Sequence, residues 1–168
     1  MSDRIQIVID IGPAQAGLDR LASLLDDMTP IMRDIGEYMI KATKERFRKG
    51  AGPDGSVWPA KSATTIAAYL ARGDRADPRP LIGPSGQLSQ LIAAEVTGSG
   101  RAVEIGSSRI YAGVMQFGAR RGAFGQTRRG APIPWGDIPA RPFLGASEAD
   151  LVAIGEIVSD GLSKATRG

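Results

Sequence analysis

Neither cysteine nor histidine occurs in these 168 residues. The first absence excludes disulfides and thiolate chemistry and fits a reducing compartment. The second removes the usual general base near neutral pH. Together they remove most zinc sites and the serine and cysteine triads. Aromatic residues are scarce at 5%, so the core must be built mainly from Ile, Leu, Val, Ala and Met. No apolar run approaches the roughly 20 residues of a membrane span. Met1-Ser2-Asp3-Arg4 lacks the core of a signal peptide, which predicts a chain that is cytoplasmic at synthesis.

What remains is ordinary for a globular domain: 42% hydrophobic and 23% charged residues. A chain of this length is expected to form one domain, residues 1–168, burying roughly 70% of its unfolded surface. The 22 glycines and 11 prolines announce extensive loops. Net charge is +3, but residues 101–146 carry 7 basic and 2 acidic side chains, a local +5. Whatever that region touches is expected to be acidic.

Ile5, Ile7, Ile9 and Ile11 alternate with Gln6, Val8 and Asp10, the period of a half-buried strand. Leu18, Leu21, Leu24, Leu25 and Met28 recur at helical spacing and predict a helix over 15–28. Thr29-Pro30 reads as an N-cap and first helical proline. A second helix then follows through Ile31, Ile35, Tyr38, Met39 and Ala42 to about Arg48. Ser62 caps a short third helix to about Leu70, and Ser85 to Leu91 is a turn or short helix. Ile92–Val96, Gly98-Ser99-Gly100 and Ala102–Ile105 predict a β-hairpin with Val103 and Ile105 inward and Glu104 wet. Tyr111–Phe117 fits helix or strand. Ser147 and Asp150 form a capping box for a last helix through Leu151, Ile154, Ile157, Val158 and Leu162. The fold class is therefore α+β: a small antiparallel sheet with an N-terminal strand and a central hairpin, two or three long helices, and long loops. Mobile loops are expected near 49–61, 72–80 and 118–137, the second either mobile or ordered only by a partner.

Three segments bear on function. In Ile138-Pro139-Ala140-Arg141-Pro142-Phe143-Leu144-Gly145, two prolines three residues apart deny backbone donors and hold the chain extended. Such an arm, with Phe143 and Leu144 as apolar anchor, predicts docking on a neighbour through Pro139, Arg141, Pro142, Phe143 and Leu144. Gly52-Pro53-Asp54-Gly55-Ser56-Val57-Trp58-Pro59 is a turn followed by Trp58. That ring reads as a structural anchor and joins the arm as a candidate docking residue. The loop around Arg120, Arg121, Arg128 and Arg129 has no acid between Gly118 and Trp135. It suits phosphate contacts with Phe124 stacking, or carboxylates of an adjacent subunit, or simple solvation. No helix-turn-helix or RNA-binding signature accompanies it. Gly83-Pro84-Ser85-Gly86 and Gly98-Ser99-Gly100 lack the partners of a phosphate cradle. Asp26-Asp27 reads as a wet helix face, and Asp74 and Asp77 lack the oxygens of a calcium loop. No catalytic, cofactor or metal constellation emerges, which argues against a hydrolase.

In order, Phe47, Pro53-Asp54-Gly55…Trp58-Pro59, Thr64-Thr65, Leu81-Ile82…Ser85-Gly86-Gln87-Leu88, Val103-Glu104-Ile105-Gly106, Tyr111-Ala112…Gln116-Phe117-Gly118 and the Ile138–Gly145 arm form a recognisable series. Over roughly residues 30–165 the chain resembles the phage virion morphogenesis family, the tail-completion and neck proteins of Mu-like and related tailed phages. It departs at Met115, where the family often has histidine, and in the basic insertion 119–136. The resemblance implies a structural virion protein, not an enzyme, assembled in the host cytoplasm and resident in the neck or tail. It would act in tail completion or termination and head–tail joining. Its implied partners are copies of itself in a ring, expected to be hexameric, tail-tube or head–tail connector proteins, and passing DNA. No cofactor, small-molecule substrate or membrane is implied. The alternative is a non-catalytic DNA-binding protein using the arginine-rich loop 118–130.

Overall fold

A computed structural model describes residues 11–167. Its spine is helix α2 (Thr29–Lys49), in which Ile31, Ile35, Met39, Thr43, Arg46 and Phe47 follow helical spacing and are all buried. Pro30 sits in the first turn, where its missing N–H costs nothing. Thr29 is helical and not the N-cap. That position belongs to Met28, which offers no side-chain cap. The Thr29 N–H is instead satisfied by Asp27 Oδ1 at 3.0 Å. Arg46, Arg48 and Lys49 close the last turn, complementing the helix dipole.

Strands β1 (Ile92–Thr97) and β2 (Ala102–Ser107) form an antiparallel hairpin, in which Val96 faces Val103 and Glu95 faces Glu104. The expected alternation holds: Val103 and Ile105 pack toward α2, while Glu104 is exposed. Helix α2 lies close on this sheet because Gly36 has no side chain. A Cβ there would meet Ala94 Cβ at 2.9 Å and Val103 Cγ2 at 3.2 Å.

Helix α1 (Gly12–Asp26) packs along α6 (Glu148–Arg167), with Arg20 donating to the Ala165 carbonyl at 3.0 Å. Ile154, Ile157 and Val158 of α6 join Leu24, Met28, Val103 and Ile105 around Ile31, Ile35 and Met39. Leu151, expected in the same apolar stripe, points outward and is exposed. A second core unites Phe47, Trp58, Leu81, Leu88, Ile92, Ala112 and Phe143.

Short elements complete the α+β architecture. Helix α3 (Ala63–Ala71) is capped as expected, Ser62 Oγ accepting from the Thr65 N–H at 3.1 Å. Helix α4 (Gln87–Gln90) buries Leu88, and Tyr111–Phe117 resolves as helix α5 (Ala112–Phe117). The predicted N-terminal strand lies outside the described residues apart from Ile11, which precedes α1. Among the described residues, no helix is long and apolar enough to cross a membrane.

Candidate docking surfaces

The proline-rich segment 138–147 does not reach outward. Phe143 is completely buried, with its ring 5.3 Å from Phe47, and Phe47 meets Trp58 edge-on at 5.6 Å. Trp58 is buried too and donates through Nε1 to the Pro142 carbonyl at 3.0 Å. Arg141 is buried against the 49–61 loop, Nε donating to Pro59 O at 2.7 Å and Nη2 to Ala60 O at 2.9 Å. Burial lowers the Arg141 pKa from its ordinary value. The backbone is equally occupied: Gln116 Oε1 accepts from the N–H groups of Phe143 and Leu144, and its Nε2 donates to Leu144 O. Arg141 and Phe143 therefore clasp their own chain, which corrects the expectation that they face a neighbour, and Trp58 sits as the structural anchor that its ring suggests, not as a docking residue. The apolar anchor that the prolines present is spent on Phe47. Pro142 and Leu144 are half-buried, and only Pro139 among the six candidates is exposed.

Arg46, which sequence reading passed over, and Asp150, read there as a helix cap, hold this clasp. Arg46 sits in the buried register of α2 and donates to the carbonyls of Phe143 at 3.0 Å and Gly145 at 2.7 Å. It also pairs with the buried Asp150 carboxylate at 2.5 Å. Asp150 accepts from Ser147 N–H at 2.7 Å, Ser147 Oγ at 2.6 Å and Tyr38 Oη at 3.0 Å. Ser147 Oγ accepts from Asp150 N–H in return, so the capping box is real and α6 begins at Glu148. Burial alone pushes the Asp150 carboxyl up, but the Ser147 and Tyr38 hydrogen bonds and the Arg46 charge outweigh it, and the net shift is downward. Burial raises Tyr38, reinforced by its bond to Asp150. Arg46 had a legible signal: a basic residue at the spacing of Ile35, Met39 and Thr43 can only be buried with partners.

The loop 49–61 is folded by the Ala51–Val57 bridge and the Asp54 turn, whose carboxylate accepts from Ser56 N–H and Oγ. In 72–80, Asp77 is buried, its side chain held by Arg79 and its carbonyl by Lys61 Nζ. These contacts come from the chain itself, whereas the sequence predicted a segment either mobile or ordered only by a partner.

The arginine-bearing loop is an irregular hairpin. Ala119 and Ile138 exchange N–H···O bonds at 2.9 and 2.7 Å. Gly122 bonds Pro134, Phe124 bonds Ile133, and Thr127 bonds Ala131 toward the tip. Gly118 starts it at φ +73°, where a Cβ would stand 2.7 Å from Ile138 O. Arg120, Arg121, Arg128 and Arg129 are all exposed, and none makes an ion pair among the described residues. Asp137 accepts from the Arg121 backbone N–H at 2.7 Å. Trp135 is 77% and Phe124 56% exposed. This hairpin thus leaves four arginines and two aromatic rings exposed, where the 138–147 clasp buries its Phe143 and Arg141; Ile110, Val57 and Phe117 are exposed elsewhere. Among the described residues no group of three metal-ligating side chains forms.

A family model, described as the phage virion morphogenesis family, matches residues 9–163. No curated protein and no solved structure matches.

Proposed function

The chain belongs to the phage virion morphogenesis family, and on that premise we propose that it completes or terminates the tail and joins it to the head as a ring-forming neck component. Membership of the family implies a structural role in the virion. The observation that carries the finer reading is the contrast between two surfaces. The clasp and both cores are closed by the chain's own contacts, whereas the 119–138 hairpin leaves four arginines and two aromatic rings uncovered. Arginine and tryptophan dominate interface energetics, so the hairpin suits assembly, and it sits on a braced platform.

Electron microscopy of particles from the parent phage with this gene deleted tests the reading. Filled heads beside unattached tails are expected for a joining role, and tails of uncontrolled length for termination. Normal, infectious virions would refute both. The exposed, unpaired arginines also favour a second reading, DNA contact within the neck channel, which predicts salt-sensitive DNA binding lost when the four become Ala.

A further inference from the structure

The sheet face turned away from α2 is an uncomfortable place for two carboxylates. Glu95 and Glu104 stand directly opposite each other in the register, and both are exposed. Like charges so placed destabilise an antiparallel pair. Neither has an ion-pair partner among the described residues. The rest of that face is Ala93, Ala102 and Gly106 with Thr97, and nothing lies within 4 Å of where a Gly106 Cβ would stand. An approaching surface would find a shallow floor of small side chains with an uncompensated acidic pair at its centre.

The 119–138 hairpin has the complementary character. It carries four exposed arginines against one acid, Asp137, and adds the exposed rings of Trp135 and Phe124. Its length, about 20 residues, is that of one side of a standard protein interface.

We propose that the hairpin of one copy seats on the Glu95/Glu104 face of a second copy, arginines on the carboxylates and aromatic rings over the Ala93–Ala102–Gly106 floor. The two patches are different parts of one chain, so the contact is heterologous and repeats head to tail, giving a ring where the rotation closes and an open filament where it does not. The proposal deepens the ring reading above and rests on it. A second copy is favoured over nucleic acid because this chain's own carboxylates call for a cationic partner and would repel a phosphate backbone.

The lack of native cysteine makes the test clean. Single variants Glu104→Cys and Arg128→Cys of the intact chain are mixed under oxidising conditions. A covalent dimer is expected from the mixture, in at least about tenfold excess over either variant alone. In sedimentation, E95K/E104K weakens self-association about tenfold or more, and mixing it with R128E/R129E restores mixed assemblies. E95Q/E104Q raises the thermal midpoint of the isolated subunit while weakening association, which separates a lost contact from a damaged fold. If E95K/E104K assembles like the parent and no cross-link forms, the sheet face is not the interface, and the ring reading stands without it. If the parent chain sediments as a monomer, no cross-link forms and gene-deleted phage are normal, the ring reading falls as well. Hairpin-dependent binding of a short DNA duplex without cross-linking would assign the hairpin to nucleic acid and overturn the proposal.

Discussion

Replacing Phe143 by alanine distinguishes a clasp from a docking arm. The ring is 0% exposed and lies 5.3 Å from Phe47, in a cluster that includes Trp58. Removing it forfeits about 1.5–3 kcal/mol of transfer free energy. The cavity and the lost ring contacts raise the total to about 3–5 kcal/mol. A domain of this kind has about 5–15 kcal/mol in all, so the variant should retain only part of its stability. With a urea slope of about 2 kcal/mol/M, the unfolding midpoint should fall by about 2 M. Trp58 fluorescence reports the transition from inside the cluster, while Trp135 is 77% exposed and can be replaced by Phe to clear the signal without moving the midpoint. A midpoint within about 0.3 M of the parent, with assembly abolished, would refute the clasp and restore the outward arm.

Asp150→Asn should cost about 3–5 kcal/mol at neutral pH, because it leaves the Arg46 charge buried without its counterpart. The Asp150 pKa is lowered from 3.8 in the folded chain, so its stabilisation is fully present above about pH 4 and is lost as pH falls through the lowered value. Unfolding midpoints measured from neutral to strongly acid pH should decline below about pH 4 in both, but less steeply for the variant, in which the lowered carboxyls of Asp77, Asp54 and Asp27 remain. Gly36→Ala should destabilise by about 1–2 kcal/mol despite alanine's better helix propensity, since its Cβ would press to 2.9 Å on Ala94 Cβ. Thermal unfolding checks it, and an unchanged or raised midpoint would mean that α2 stands farther from the sheet.

Local chemistry made much of the fold legible. Ser62, the Ser147–Asp150 box and the Val103/Ile105 alternation depend on residues a few positions apart, and each is found where its spacing puts it. The first turn of α2 was misread by one residue because Asp27, two positions earlier, took the capping bond. The destination of the 138–147 segment was illegible for a different reason. Prolines say that a chain is stiff and short of donors, not which apolar surface it meets, and Phe47 lies almost a hundred positions away. The hairpin 119–138 hides its pairing because glycines and prolines break the period of two that would reveal strands. Its arginines were legible by charge alone, whereas the Glu95–Glu104 juxtaposition needed the strand register.

The Arg46–Asp150 pair joins residues 104 positions apart, and this has a consequence for how the subunit is made. Arg46 is translated early, yet its buried guanidinium has no counter-charge until α6 emerges. Contacts of such high sequence separation form late and slowly. A nascent chain short of Glu148 therefore carries an unpaired charge in α2 and leaves Ile31, Ile35 and Met39 without the apolar side chains of α6. A chain released early thus lacks the pair that ties α2 to the start of α6, and its unpaired Arg46 charge weighs against closing the fold.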